Sequence, residues 1–400
     1  MNNSLIDSKY VSSFNTKELT DIDVFEKDID LLSSQWNFID HTSNYNSLGD
    51  YRVLDILGES VIVLKSSDGF NAFFNFCSHR GSVICTKKQG NTKAFVCPYH
   101  SWKFGIDGKL LNAPACPSAT AEPDKNALRK VEIREIEGML FIGLNKAKLP
   151  SFEVVKSELE PLFSWQGLKK AKIAHSCEYS IEANWKLAVE NFYECYHCFS
   201  NHPEMCSQFA HPHVSATDSL IGIRKFKSIF TEWSKKVKSY GHPIGGVEDI
   251  DVCAPQFNVI FRSVINEDTP SYAKNGKHLA PLMGRYKKYD NGETFGYSGP
   301  LTHFSMPTDH AFVFRINPIS VSKTQLELFW LVEENAVENK DYVINDLIWL
   351  WNTTIQQDIV AIERAAVGSK SKFYHPGFYT KLEHNSANFA IWYRKNISQI

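Results

Sequence analysis

The sequence predicts an α+β protein in two parts, a small all-β unit followed by a larger α+β unit with an antiparallel sheet and helices. Three observations carry this. Between Arg52 and Cys77, two β-prone apolar runs flank Asp68-Gly69, a strong short-range hairpin signal. Alternation returns from Val131 to Asn145, with Glu137-Gly138 as its turn. Beyond a linker at Asn145 to Phe152, strand text (KIAHSCEYSI, HAFVFRINPI, QLELFWLVEE) mixes with helical text. The stretch from Asp341 to Ala366 has the length and periodicity of a long buried helix. The divisions expected are an N-terminal segment at 1–35, the β unit at 36–148 and the α+β unit at 149–400.

Composition narrows the function classes. Four hundred residues, 43% hydrophobic and 13% aromatic, supply ample material for two or three cores. Forty-three basic against forty-five acidic residues leave a formal charge of -2, so no basic footprint points to nucleic acid. No run approaches the ~18 consecutive apolar residues of a membrane span, and the polar N-terminus lacks the apolar core of a secretory signal. A cytoplasmic protein that engages neither nucleic acid nor membrane is expected. In a reducing compartment its nine cysteines are small buried hydrophobes or metal ligands rather than a disulfide framework.

The β unit contains Cys77-Ser78-His79 and, further on, Cys97-Pro98-Tyr99-His100. Two Cys and two His in paired short loops suit a zinc knuckle or a Rieske 2Fe-2S centre, in which two histidines replace two cysteines on one iron. Zinc sites of this class usually separate a Cys pair from a His pair, whereas here each loop supplies one of each. That distribution suits a two-iron cluster. The strings CSHRG (Cys77 to Gly81) and CPYHSWKFGIDGKL (Cys97 to Leu110) resemble the two ligand loops of Rieske proteins. Ser101 stands where such loops usually carry glycine. Cys85 and Cys116 belong to neither loop and are expected to be structural.

The α+β unit opens with a helix that Asn184 caps. On it Trp185, Val189, Phe192 and Tyr196 form an apolar stripe, and Glu190, Glu194 and His197 share another face. His202 follows His197 by five residues, too far round for a regular helix. Either the helix distorts or His202 lies just past its end, before Pro203. Two histidines with one carboxylate from elsewhere form a facial triad for mononuclear non-haem Fe(II), with positions left open for dioxygen. Asp358, in the string QQDIVAIE, is a candidate acid, although the residues alone leave it open between a ligand and a surface acid. Cys195 and Cys198 spell a C-x-x-C, but no thioredoxin-like βαβ context surrounds them. Cys206, His211 and His213 are expected to be bystanders.

The string NWKLAVENFYECYHCFSNHPE, with the Rieske loops and the tail QQDIVAIERAAVGSKSKFYHPGFYTKLE, resembles the catalytic (alpha) subunits of Rieske non-haem iron oxygenases over almost the whole chain. The resemblance implies an all-β Rieske domain, a catalytic domain of helix-grip, START-like type, and packing of residues 1–35 on the latter. It implies Cys77, His79, Cys97 and His100 as 2Fe-2S ligands, and His197, His202 and Asp358 as ligands of a mononuclear iron. Glu194 matches the acid that relays electrons between subunits of a head-to-tail homotrimer, where many members have Asp. Electrons come from NAD(P)H through a flavin/iron-sulfur reductase, and dioxygen is the co-substrate. The wording is similar to glycine betaine and carnitine oxygenases, which implies oxidative N-demethylation of a quaternary ammonium compound. Trp330, Trp349, Trp351, Phe304, Tyr286 and Tyr297 are candidates for an aromatic cage around such a cation. The alternatives are an aromatic ring hydroxylase and, from another class, a non-catalytic iron-sulfur electron carrier.

Overall fold

Residues 11–210 and 220–400 are described by the computed structural model of the chain. They divide into two units, Ser33–Leu149 on one side and Met1–Leu32 with Pro150–Ile400 on the other. No described helix is long and apolar enough to cross a membrane.

The smaller unit is built from ten strands: β1 (Asn37–His41), β2 (Asp50–Ile56), β3 (Glu59–Ser66), β4 (Gly69–Phe74), β5 (Gln89–Asn91), β6 (Ala94–Val96), β7 (Lys103–Gly105), β8 (Leu110–Asn112), β9 (Lys130–Ile136) and β10 (Met139–Gly143). Seven of them form one sheet in the order β1-β10-β9-β4-β3-β2-β5, while β6-β7-β8 form a second. The turn at Glu137-Gly138 has positive φ at both residues (49° and 84°), as a two-residue hairpin loop demands of a right-twisted ladder. The same geometry recurs at Leu57-Gly58, a hairpin the sequence reading passed over because Leu is a poor left-handed residue. Near Asp68 the turn is displaced by one residue: Ser67 and Asp68 make it, and Gly69 opens β4. The first Cys-His loop follows β4, and the second joins β6 to β7. Both rest on a core of Ile62, Leu64, Phe73, Phe95, Trp102 and Phe104.

The larger unit carries an antiparallel sheet of β11 (Ala171–Ile181), β12 (Gly245–Val247), β13 (Asn258–Val264), β14 (Gly292–Ser298), β15 (Thr302–Pro307), β16 (Ala311–Ser320) and β17 (Lys323–Glu333), in the order β11-β17-β16-β15-β14-β13-β12. Register puts Phe261, Phe295, Ser305 and Phe312 in one row, and Tyr297, His303 and Phe314 in the next, all on one face. The helices are α1 (Thr16–Thr20), α2 (Ile22–Ser33), α3 (Pro117–Ala121, in the smaller unit), α4 (Phe152–Gln166), α5 (Trp185–Phe192), α6 (Cys198–Asn201), α7 (Pro203–Gln208), α8 (Leu220–Tyr240), α9 (Ile344–Ser369) and α10 (His384–Ile397). Of these, α9 packs on β11, and α5 packs on β16, β17, α9 and α10. Trp351 of α9 stacks on Phe312 with ring centroids 4.8 Å apart, which locks the helix to the aromatic rows. The long helix begins three residues later than the sequence suggests. The Asp341 carboxylate instead accepts from the Val337 backbone N–H at 2.8 Å and closes the preceding turn.

The N-terminal segment is tied into the same unit by a buried charge. Asp28 of α2 accepts from Lys186 Nζ, from Trp185 Nε1 at 3.0 Å and from the Tyr393 hydroxyl at 2.6 Å. Asp28 and the Lys186 side chain are both inaccessible, so each compensates the desolvation of the other.

Candidate functional site

The two Cys-His loops of the smaller unit share one construction. In each, the cysteine N–H bonds the carbonyl five residues on, Ser82 or Trp102, at 2.8 Å, and the N–H four residues on returns to the cysteine carbonyl. That fourth following position is left-handed in both, at φ 71° for Gly81 and 59° for Ser101. Ser101 thus keeps the turn that glycine serves more cheaply, at a backbone cost of about 1 kcal/mol. Backbone N–H groups two and three residues on face each sulfur: His79 and Arg80 for Cys77, Tyr99 and His100 for Cys97. Burial still dominates at Cys77 and raises its thiol, whereas at Cys97 the effect of burial is overcome by the amides and the thiol is lowered.

Both cysteines are buried, and the His79 and His100 rings lie toward the surface with centroids 4.8 Å apart. Trp102 stacks flat on His79 at 4.6 Å and fixes its plane. His100 Nδ1 is buried with no hydrogen-bond partner among the described residues, an expensive arrangement for a nitrogen that does not coordinate something. Two sulfurs cradled by amides and two converging imidazoles, one with an orphaned nitrogen, fit the donor set of a 2Fe-2S cluster with mixed ligation.

In the larger unit the Asn184 side chain caps α5 by accepting from the Lys186 N–H at 3.0 Å. The helix ends at Phe192, earlier than the apolar stripe suggests. Glu194 is the reason: its Oε2 accepts from the N–H groups of Tyr196 and His197, and turns the backbone out of the helix. Tyr196 is therefore outside the stripe and 45% exposed, and Glu190, Glu194 and His197 do not share a helical face. His202 lies between α6 and α7, and Pro203 opens α7, so of the two expected alternatives the ring lies just past a helix end.

This irregular backbone brings two donors, His197 and His202, together with Asp358 of α9. His197 Nε2 and His202 Nε2 are 3.0 Å apart, and Asp358 Oδ1 is 3.1 Å from the first and 2.9 Å from the second. On their far sides, His197 Nδ1 donates to Glu194 Oε1 at 2.5 Å and His202 Nδ1 to Gln357 Oε1 at 2.8 Å. The Gln357 amide is oriented by its own Nε2, which donates to Glu204 Oε2 at 2.9 Å. With each Nδ1 proton held, both Nε2 atoms present lone pairs to a carboxylate oxygen. Three such lone pairs within 3.1 Å repel unless a cation joins them. Donors at right angles on bonds of about 2.1 Å are about 3.0 Å apart, so the triangle matches one face of an octahedron and fits the two-histidine, one-carboxylate set.

Burial would lower His197, but hydrogen bonds to Asp358 and Glu194 prevail and raise it to about 10. Burial would raise Asp358, yet the two histidines hold it below its ordinary value. Cys198 Sγ also lies within 4.8 Å of the histidine donors. Its hydrogen bond with Cys195, then burial, push its thiol far above the ordinary range, so it is a thiol rather than a thiolate ligand. Cys206 Sγ donates to the Cys198 carbonyl at 3.3 Å. His211 and His213 lie outside the described residues.

A cavity of about 450 Å³ opens on this triad. Of the six aromatics singled out in the sequence, Tyr297 and Trp351 line it. Trp330 packs on Phe312, Phe304 on Phe163 and Tyr286 on Arg262, while Trp349 lies under Lys274; none of the four lines the cavity. The sequence reading missed Glu293, Phe295 and His303, which do. Alternation in GETFGYS marks Glu293, Phe295 and Tyr297 as one strand face and was the available signal. His303 is 5% exposed, is wedged between Phe295 and Phe314 at 4.7 Å each, and has no partner for either ring nitrogen among the described residues. Burial pushes it down to about 3, so it is a neutral imidazole.

The chain is similar to known proteins. The family described as ring hydroxylating alpha subunit (catalytic domain) matches residues 168–399, and the Rieske [2Fe-2S] domain matches residues 35–133. The glycine betaine monooxygenase oxygenase subunit of Pseudomonas aeruginosa is 30% identical over 94% of this chain and 86% of its own length. The carnitine monooxygenase oxygenase subunit of Escherichia coli (strain K12) is 31% identical over 46% of this chain and 50% of its own. Among solved structures, the quaternary ammonium Rieske monooxygenase CntA in complex with gamma-butyrobetaine superposes with a TM-score of 0.72 at 20% identity, covering 98% of this chain and 97% of that one. Naphthalene 1,2-dioxygenase from Rhodococcus sp. gives 0.67 at 18%, covering 96% and 93%.

Proposed function

Because the chain belongs to the family of ring-hydroxylating oxygenase alpha subunits with a Rieske 2Fe-2S domain, we propose that it hydroxylates an N-methyl carbon of a quaternary ammonium compound. One oxygen atom of dioxygen enters the C–H bond, and the other leaves as water with two electrons from the reductase and two protons. The hemiaminal product collapses to formaldehyde and the demethylated amine, with loss of a proton.

The observation that carries the substrate class is the charge and texture of the cavity. Its lining includes the rings of Phe192, Phe261, Phe295, Tyr297 and Trp351, the preferred surround of a trimethylammonium group. Among the described residues its acids are Glu194, Glu248, Asp249 (3.7 Å from His384), Glu293 and Asp358, against the single cation Arg262, already paired with Asp290 at 2.8 Å. Two of those acids serve the triad, and Glu248 and Asp249 still outnumber the one cation, an excess of negative charge that suits a cationic substrate.

A 2Fe-2S cluster stores single electrons, and a mononuclear iron with open positions activates dioxygen. In this reading Cys77, His79, Cys97 and His100 hold the first, and His197, His202 and Asp358 the second. The chain does the rest. Glu194 and Gln357 hold the Nδ1 protons, so the imidazoles keep one tautomer and one orientation. The aromatic walls exclude water and position the methyl group. The cysteine ends are buried and the histidine ends lie toward the surface, which makes the histidine end the natural exit for electrons. Glu194, bonded to His197, then relays them from the Rieske histidine of a neighbouring copy in a head-to-tail homotrimer, a heterologous contact that closes into a ring.

Iron per chain and product together test this reading. Three irons per chain, falling to two in His202→Ala with the visible absorbance of the cluster retained, is the expected result; three irons kept in that variant would remove the ligand assignment. With a generic reductase, formaldehyde should appear from choline, carnitine or a betaine. Hydroxylated product from an aromatic acid, with none from a methylated amine, would favour the ring-hydroxylase alternative, and two irons in the wild type the electron carrier.

A further inference from the structure

Glu293 is a buried carboxylate that nothing in the chemistry above uses. It lies on β14 in the row continued by Phe295 and Tyr297, lines the cavity and is 7% exposed. Its Oε2 accepts from the Ser305 hydroxyl at 2.8 Å and from the Tyr272 hydroxyl. Among the described residues no hydrogen bond reaches its Oε1, and no Lys, Arg or His pairs with it. Such burial is costly unless something else compensates it.

The nearest candidate cation faces away. Ser263 pairs with Glu293 across the ladder and Arg262 with Thr294, so the pleat sends Arg262 to the opposite face. There Asp290 and the Tyr286 hydroxyl hold its guanidinium. Tyr272, which orients Glu293, meets Trp351 edge-on at 6.0 Å. Trp351 precedes Asp358 by seven residues on α9, about 10 Å of helix. The cavity therefore has metal donors at one end and a hydrogen-bond acceptor at the other.

We propose that Glu293 selects substrates whose end remote from the reacting methyl is an uncharged hydrogen-bond donor such as a hydroxyl, and excludes those that carry a carboxylate there. The proposal deepens the quaternary ammonium reading and rests on it. A trimethylammonium group that turns one methyl toward His197, His202 and Asp358 points its remaining substituent toward Glu293. A hydroxyl there satisfies the carboxylate. A substrate carboxylate meets a like charge in a low-dielectric site, and sites built on a buried polar group discriminate strongly against a mismatched partner.

Calorimetric titration of the holoprotein, carrying both metals, with choline, glycine betaine and tetramethylammonium at about pH 8.5, where Glu293 is ionised, tests this. Choline should bind the wild type at least about tenfold more tightly than glycine betaine. In Glu293→Gln the ratio should fall below about threefold, mainly through tighter glycine betaine, while tetramethylammonium changes by less than about twofold. Glycine betaine binding as tightly as choline to the wild type overturns the proposal even if the variant fails to fold, and so does an unchanged ratio in Glu293→Gln. Binding of tetramethylammonium without a choline preference sinks the role of Glu293 alone. Failure of all three ligands to bind sinks the quaternary ammonium reading and the selection with it.

Discussion

Gln357 and Asp358, consecutive on α9, hold one imidazole from its two sides: Gln357 Oε1 is 2.8 Å from His202 Nδ1, and Asp358 Oδ1 is 2.9 Å from Nε2. The glutamine sets the tautomer that leaves an Nε2 lone pair beside the aspartate oxygen, as a shared cation requires. Gln357→Leu removes the acceptor, and the loss of such a partner typically costs 10–100-fold in metal affinity. Iron retained against a chelator should fall by about that factor, with the Rieske absorbance unchanged. Equal retention would show that His202 is held by packing alone.

Glu194 has two tasks that a substitution can separate. It orients His197 through Nδ1 and, in the proposed trimer, carries electrons between copies. Glu194→Gln keeps an acceptor for Nδ1, so iron content should stay within about threefold of wild type while coupled turnover falls by about a hundredfold or more. Normal turnover in that variant, assayed with its reductase, would end the relay assignment.

The Asp28–Lys186 pair should be a stability determinant of the catalytic unit. Asp28→Ala leaves an inaccessible ammonium unpaired, which costs about 3–5 kcal/mol. Urea unfolding followed by tryptophan fluorescence should show the loss, and adding Lys186→Met should recover part of it. A variant as stable as wild type would mean that Lys186 finds water or another partner.

Glu293 makes stability depend on pH. Burial pushes its carboxyl up to about 7 from 4.5, against the opposing hydroxyls of Tyr272 and Ser305 and the charge of Arg262. In the unfolded chain the same group ionises near its ordinary value. Between those values the folded state binds more protons, so stability falls as pH rises, by up to about 3 kcal/mol once both states are ionised. Glu293→Gln should therefore raise Tm more at pH 8 than at pH 5, by on the order of 5 °C. A difference independent of pH would contradict the buried acid.

Sequence and tertiary structure divided the information along physical lines. The Rieske loops were legible because their Cys and His residues are local: each loop packs Cys, His and a left-handed turn into five residues, and short-range spacing fixes which atoms converge. The hairpin at Glu137-Gly138 and the cap at Asn184 were legible for the same reason. His197 and His202 could be named as candidates, whereas Asp358 lies more than 150 residues further on and needed a resemblance to be chosen over a surface acid. Only the fold decided the rest. Helix periodicity ran the apolar stripe through to Tyr196, but Glu194 captures two backbone N–H groups and ends the helix at Phe192, a competition that pattern counting does not weigh. The cavity lining was equally hidden. Aromatic residues bury themselves whether or not they meet a ligand, and strand pairing sent Phe304 and Trp330 into packing, while it aimed Glu293, Phe295 and His303 into the cavity.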